Sequence, residues 1–319
     1  MRRLLALTAA LCIAAVLLPA AGDAARVHYK TGISDQNPAT FASPLYTSLH
    51  MSVARYITPW DVMFEKPRSY DRVQLDQWIA GARHDGQDIL IAFEHSHLRG
   101  HERKVPKRRT YAKALKLFHR AYPNVRSISA WNEANRCQRV SKTSGAVLGQ
   151  PICHNPKAAA GFYETARSVF KRDRVVALDI LDQNSVRSSV RYVQRFLHYV
   201  RHFPRIWGIH DYSDTNRFST KRTRALLRAT RRGEVWLTET GGIVRFGHSF
   251  PFNPKRAARA IGCAFWIANH ERRIKRVYLY QFNAGGRSFD FDAGLIALNG
   301  KKRPGWTVAR KRAARRCRR

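Results

Sequence analysis

Short apolar runs alternate with longer segments of helical spacing along almost the whole chain. The runs at Val27 to Ser34, Met51 to Ile57, Asp88 to Phe93, Val175 to Leu181, Ile206 to Ile209 and Arg276 to Phe282 read as strands. Two more begin at Ser127 and Glu234, and each runs into a glutamate: Ser127-Ile128-Ser129-Ala130-Trp131-Asn132-Glu133 and Glu234-Val235-Trp236-Leu237-Thr238-Glu239. Between the runs, apolar residues return at helical intervals. Val73, Leu75, Trp78, Ile79 and Ala82 mark a helix over Tyr70 to Asp85, which Gly86 stops. Further helices are predicted over 41–49, Tyr111 to Tyr122, Pro156 to Phe170, Ser188 to Phe203, Ser219 to Arg231 and Pro254 to Asn269. Strand-helix alternation with apolar strands predicts a parallel α/β protein whose strands are covered on both faces. Eight such strands favour one closed (β/α)8 TIM barrel over an open sheet. No second domain, linker or repeat interrupts the pattern.

The chain has 319 residues, 44% of them hydrophobic and 35 of them aromatic, so a large core can form and global disorder is excluded. Residues 1–24 have the form of a secretory signal. Arg2 and Arg3 precede an apolar run from Leu4 to Leu18, and Gly22-Asp23-Ala24 supplies the small residues of a cleavage site. The run is short for a membrane span, and no later stretch is long and apolar enough for one. A secreted protein, extracellular or held at the cell wall, is expected. The barrel domain then occupies 25–300, with a basic tail over 301–319. Four cysteines remain after the leader: Cys137, Cys153, Cys263 and Cys317. In an exported chain they imply two disulfides, with three possible connectivities. The pairing Cys137–Cys153 would staple the loop after strand four, and Cys263–Cys317 would tie the tail to the last large helix. The formal net charge of +36 predicts attraction to anionic polymers: nucleic acid, acidic glycans, cell-wall phosphates or lipid headgroups. The arginines are spread over the whole chain, so much of that charge belongs to solvated faces. No Gly-x-Gly-x-x-Gly follows the first strand and there is no phosphate loop, so no cofactor is implied.

In a barrel the C-terminal ends of the strands build the active site. Here they supply Arg55, Glu94, His95, Asn132, Glu133, Asp182, Asn184, His210, Tyr212, Glu239, Tyr280, Gln281 and Asn283. Glu133 and Glu239 lie 106 positions apart, room for roughly three strand-helix units of about 30 residues. A carboxylate at the point where a strand leaves the core is costly without partners or a task. Two of them, among tyrosine, histidine and arginine, suit hydrolysis of a glycosidic bond. One carboxyl is protonated for the leaving oxygen, and the other is ionised to attack the anomeric carbon. Arg55 inside an apolar strand reads either as a structural ion pair or as a guanidinium fixing an active-site carboxylate.

These motifs resemble those of clan A glycoside hydrolases. Trp131-Asn132-Glu133-Ala134-Asn135 resembles the Asn-Glu-Pro motif that ends their fourth strand. Leu237-Thr238-Glu239-Thr240-Gly241 resembles the nucleophile motif of their seventh. His210-x-Tyr212 on strand six, Arg55 on strand two, and Asp292-Ala293-Gly294-Leu295-Ile296 followed by Lys302-Arg303-Pro304 match in the same order. The likeness spans nearly the whole mature chain. It is nearest to bacterial members of families five and thirty-nine and to small glucanase-like barrels. It implies Glu133 as acid/base and Glu239 as nucleophile in a retaining mechanism on β-glycosidic bonds. It also implies Asn132 on the sugar 2-hydroxyl, His210 and Tyr212 hydrogen-bonded around Glu239, and Arg55 keeping that carboxylate charged. Two departures stand out. Ala134 replaces proline, and strand eight reads Tyr-Leu-Tyr-Gln-Phe where a tryptophan floors the sugar, so Tyr280 or Phe282 would have to substitute.

The expected partner is a polysaccharide or oligosaccharide bound by a monomer, with specificity set by the loops 95–109, 136–156 and 243–253. His95 is expected to line the cleft. Together with His97 and His101 it lacks a carboxylate or thiol at ligand spacing, so no metal is assigned. Trp60, Trp131 and Phe289 are candidate sugar platforms, although Trp131 is expected inside the barrel wall, and Trp207 and Trp236 in the core. The alternative is a catalytically inactive barrel that only binds a wall or acidic glycan. A nucleic-acid-binding protein is disfavoured by the leader and by the lack of a basic stripe with interleaved aromatics.

Overall fold

The computed structural model describes residues 28–141, 145–183, 185–286 and 290–317. The signal segment, Asn184 and Phe289 lie outside the described residues. Eight strands form a closed, all-parallel barrel: β1 Lys30–Ser34, β2 Val53–Pro59, β3 Asp88–Glu94, β4 Ser127–Ser129, β5 Arg174–Leu181, β6 Ile206–His210, β7 Glu234–Thr240 and β8 Ile274–Tyr280. Each pairs with its neighbour in sequence, and β8 closes on β1 through Lys30↔Arg276 to Ser34↔Tyr280. The main outer helices are α1 Tyr70–His84, α2 Arg108–Ala121, α3 Pro156–Val169, α4 Val186–Tyr199, α5 Lys221–Ala229, α6 Pro254–His270 and α7 Pro304–Lys311. After β1, where the sequence predicts one short helix, the chain makes a 3-10 turn at Pro38–Ala42 and one α turn at Pro44–Thr47.

Local chemistry starts the helices where they are needed. The Ser69 side chain accepts from the Arg72 amide at the start of α1. Asn155 and Asn253 do the same for Ala158 and Arg256, each followed by a proline at the first helical position. The outward strand residues and the inward helix faces form one continuous core containing Trp78, Phe118, Trp131, Phe196 and Trp207. Inside the barrel a second, smaller cluster of Val53, Leu90, Val176, Ile206, Trp236 and Tyr278 plugs the channel. Below the plug, Arg174 and Arg276 donate to the two oxygens of Asp88 at 2.6 and 2.8 Å. The apolar plug thus separates a polar floor from the polar mouth that carries the candidate chemistry.

The two disulfides are Cys137–Cys153, in the loop after β4, and Cys263–Cys317. Within the basic C-terminal stretch, α7 packs on α6. Trp306 is buried and its indole donates to the Leu45 carbonyl at 3.1 Å, and Cys317 is 1% exposed. No helix among the described residues is long and apolar enough to cross a membrane.

Candidate active site

The β4 ladder stops at Ser129, earlier than the apolar run suggests. The chain beyond it stays tethered to both neighbours: the Ala130 amide donates to Val176, Asn132 to Phe93 and Ala134 to Asp179. Trp131 turns outward into the wall, stacked on Phe162 at 4.9 Å with its indole on Gln150. Glu133 adopts φ +40°, a left-handed conformation that is strained for a residue with a side chain. That turn aims its carboxylate into the barrel mouth.

Arg55 is the centre of the mouth. It is wholly buried, and its guanidinium donates to Glu239 Oε1 and Asp179 Oδ2 at 2.6 Å each, to Asn132 Oδ1 at 2.8 Å and to Ser34 Oγ at 3.0 Å. Burial disfavours its charge, but Asp179 and Glu239 outweigh burial and raise its pKa, so it stays a cation. The second oxygen of Glu239 accepts from the Tyr212 hydroxyl at 3.2 Å. Tyr212 is set in turn by Asp182, which accepts from the Ser213 and Asp214 amides at 2.8 Å and anchors the one-turn helix Tyr212–Asn216. Burial, with Asp211 beside it, pushes the Asp182 carboxyl well up.

His210 bridges the two glutamates. Its Nδ1 lies 3.2 Å from Glu133 Oε1 and 3.8 Å from Glu239 Oε2. Burial lowers the imidazole's pKa, but Glu239 and then Glu133 outweigh it and raise it. The other oxygen of Glu133 accepts from Arg136 Nη1 at 2.6 Å. Burial pushes the Glu133 carboxyl up, yet Arg136 and then His210 hold it below the usual carboxylate range. One oxygen of Glu133, one of Glu239 and a His210 ring nitrogen all lie within 4.8 Å of one another. That cluster has the size of a cation site. However, both carboxylates already carry a guanidinium at 2.6 Å, whose charge repels a metal ion.

Glu94 ends β3 beside this group. It accepts from Asn132 at 3.3 Å, from Gln150 at 3.1 Å and from His97 at 3.2 Å. Burial pushes Glu94 up, but His97 holds it at about 2. His97 also bonds Asp71 at 3.0 Å, and these two acids raise it to about 10 against the effect of burial. His95 is buried beside them, its amide on Gln150.

The aromatic predictions divide. Trp60 and Trp131 are buried, against Phe64 and Tyr111 and against Phe162, and Trp207 and Trp236 lie in the core. Phe282 is 1% exposed, packed on Tyr46, with no open face for a sugar. Tyr280 is half-buried, and its ring meets Phe291. Phe291 stands between Tyr280 and Tyr212 in a short ribbon pairing Phe291–Asp292 with Arg245–Phe246.

Three residues of this group escaped sequence reasoning. Asp179 sits mid-strand rather than at a strand end, although a charge inside an apolar run is the same signal that marked Arg55. Gly208 opposite it could not carry a side chain, because a Cβ there would stand 1.9 Å from Asp179 Oδ1. Arg136 had no signal beyond its place three residues after Glu133. Phe291 lies after β8 and outside the eight barrel strands whose ends mark the site.

No family model matches the chain, and no curated protein is similar to it in sequence. Solved structures are similar in fold. A GH10 endoxylanase from a sugarcane soil metagenome superposes with a TM-score of 0.61 at 12% identity, covering 90% of this chain and 97% of its own. GH5_18 from Streptomyces cattleya, solved with GlcNAc, gives 0.60 at 14%, covering 89% and 79%. A family 39 glycoside hydrolase from Bacteroides cellulosilyticus gives 0.61 at 15%, covering 89% and 63%. The chain therefore has the barrel fold of clan A glycoside hydrolases, the fold expected from its motifs.

Proposed function

We propose that this protein is a secreted, retaining O-glycosyl hydrolase acting on β-glycosidic bonds of a polysaccharide or oligosaccharide. The observation that carries the reading is the pair Glu133 and Glu239, with carboxylate oxygens within 4.8 Å of each other at the mouth of the barrel. Retaining glycosidases hold their carboxyl groups about 5–5.5 Å apart, and inverting ones about 6.5–9.5 Å, to admit a water. The fold shared with a xylanase, GH5_18 and a family 39 enzyme supports the same chemistry.

Glu239 is the nucleophile. Arg55 and Tyr212 occupy its two oxygens and fix the carboxylate's direction. It attacks the anomeric carbon, while Glu133 protonates the departing oxygen. Water then hydrolyses the glycosyl-enzyme with Glu133 as base. Asn132, itself held by Arg55 and Glu94, presents its amide to the sugar 2-hydroxyl. Tyr280 and Phe291 offer the aromatic floor that strand eight lacks as tryptophan. Two structural neighbours were solved with xylobiose and GlcNAc, so neutral β-linked sugars belong in any first panel.

Hydrolysis of a glycan panel and of aryl β-glycosides, run beside Glu239→Gln, tests the assignment. Loss of at least 1,000-fold in kcat is expected on the order of magnitude seen for lost nucleophiles (~10³ or more). Equal activity in wild type and variant would overturn it, and glycan binding without turnover in either would leave a binding barrel.

A further inference from the structure

We propose that the substrate carries a carboxylate, as a hexuronic acid does, on the leaving-group sugar, and that this group draws Arg136 off Glu133. The inference rests on the glycosidase reading and names its substrate class.

A proton donor must carry its proton on one of its oxygens, and both oxygens of Glu133 already face a nitrogen partner. His210 faces Oε1 at 3.2 Å and Arg136 holds Oε2 at 2.6 Å. Both partners are donors when charged, so the resting carboxylate is ionised and blocked. Of the two, Arg136 is the one that can leave. His210 is fully buried, whereas the Arg136 side chain is 34% exposed over a glutamate that is 8% exposed. Arg136 is thus the more solvent-exposed of the two partners of Glu133, and in this proposal the leaving sugar lies on that side.

A neutral sugar offers Arg136 only hydroxyls. Without a replacement, the departure of Arg136 leaves Glu133 a buried carboxylate short of its cation, which is unfavourable. A carboxylate matches the planar fork of the guanidinium and accepts two parallel N–H bonds, so it replaces Glu133 without loss of charge pairing. The adjoining rim has the same sign. The segment after β3 carries Arg99, Arg103, Lys104 and Lys107 against the single acid Glu102. The Gln138 side chain donates to the Glu102 carbonyl at 2.6 Å and ties that basic segment to the Arg136 loop. A cationic rim concentrates acidic glycans at the cleft.

The exchange supplies the missing acid. Glu133, relieved of Arg136 yet still buried, takes one proton from solvent. Glu239 bonds to the anomeric carbon as the C–O bond to the leaving sugar breaks. The bonding pair goes to that oxygen with the Glu133 proton, and the substrate carboxylate stays on Arg136. Water then attacks the anomeric carbon, releases Glu239 and returns a proton to Glu133.

The test uses β-linked mannuronan and hyaluronan oligosaccharides, each beside its carboxyl-reduced form, and 2,4-dinitrophenyl β-glycosides, whose leaving group needs no proton. For at least one pair, wild type is expected to prefer the acidic form by tenfold or more in kcat/KM. Arg136→Gln should erase that preference and move the pH profile on the neutral form to higher pH, because Glu133 has lost its cation. Arg136→Lys, which keeps the charge without the fork, should fall between and serves if the glutamine variant does not fold. No preference in any pair, or a preference that survives Arg136→Gln, overturns the proposal while dinitrophenyl glycosides are still cut. If those too are untouched, with wild type and Glu239→Gln equal, the glycosidase reading falls and takes this one with it.

Discussion

Replacing Arg55 with methionine removes one cation from between two buried carboxylates. Arg55 and Asp179 are both 0% exposed at the side chain, and Glu239 is 9% exposed. Each ion pair spans 2.6 Å. Breaking a buried pair by deleting one partner costs about 3–5 kcal/mol, mostly from the charge left behind. Unfolding entropy of about 2.1 cal/mol/K per residue, over the roughly 295 residues that follow the leader (319 − 24), converts each kcal/mol to about 1.6 °C. Arg55→Met should therefore lower Tm by about 5–8 °C in a thermal melt at pH 7. Asp179→Asn in the same background removes one stranded charge, so the double variant should recover about 1–3 kcal/mol relative to additivity. A Tm within 2 °C of wild type, or strict additivity, would refute the view that one guanidinium holds both acids.

Three further outcomes are expected. His97, raised to about 10, stabilises the fold fully below its unfolded pKa of about 6.5 and loses that stabilisation as pH rises through 10. Its partner Glu94, held at about 2, contributes fully above about 4.5 and loses its share as pH falls through 2. The Tm gap between wild type and His97→Gln should thus be widest from about pH 4.5 to 6.5 and should close near pH 10, read from melts across pH. Cys263→Ser with Cys317→Ser frees a loop of 54 residues and should cost up to about 4 kcal/mol in urea unfolding, with a lower midpoint and a steeper slope, because the unfolded chain without the crosslink exposes more surface. Gly208→Ala drives a methyl into Asp179 and should destabilise by about 1–3 kcal/mol or more and lower kcat, read from a thermal melt and steady-state kinetics.

The alternation of apolar runs and helical spacings was enough to predict eight strands closing into a barrel, because each run must be covered on both faces and each helix on one. Two helix starts were legible too, at Pro156 and Pro254, where the predicted and observed helices begin together. The same pattern marked strand ends, and with them Glu133, Glu239, His210 and Tyr212, because barrel geometry delivers every strand end to one face. Arg55 could be singled out because a charge in an apolar strand demands a partner. Which partner it takes was not legible. Asp179 lies 124 residues away, and the two meet only through the stagger of strands around the closed barrel. Phe282 shows the same limit: it follows the strand that floors the site, but the local turn buries its ring on Tyr46. Arg136 is a third case, one basic residue among 58 lysines and arginines until the left-handed turn at Glu133 brings their side chains to 2.6 Å. Periodicity records which positions leave water, and that is a local property. The pairing of one charge with another across the barrel mouth depends on register and loop path, which only the assembled chain decides.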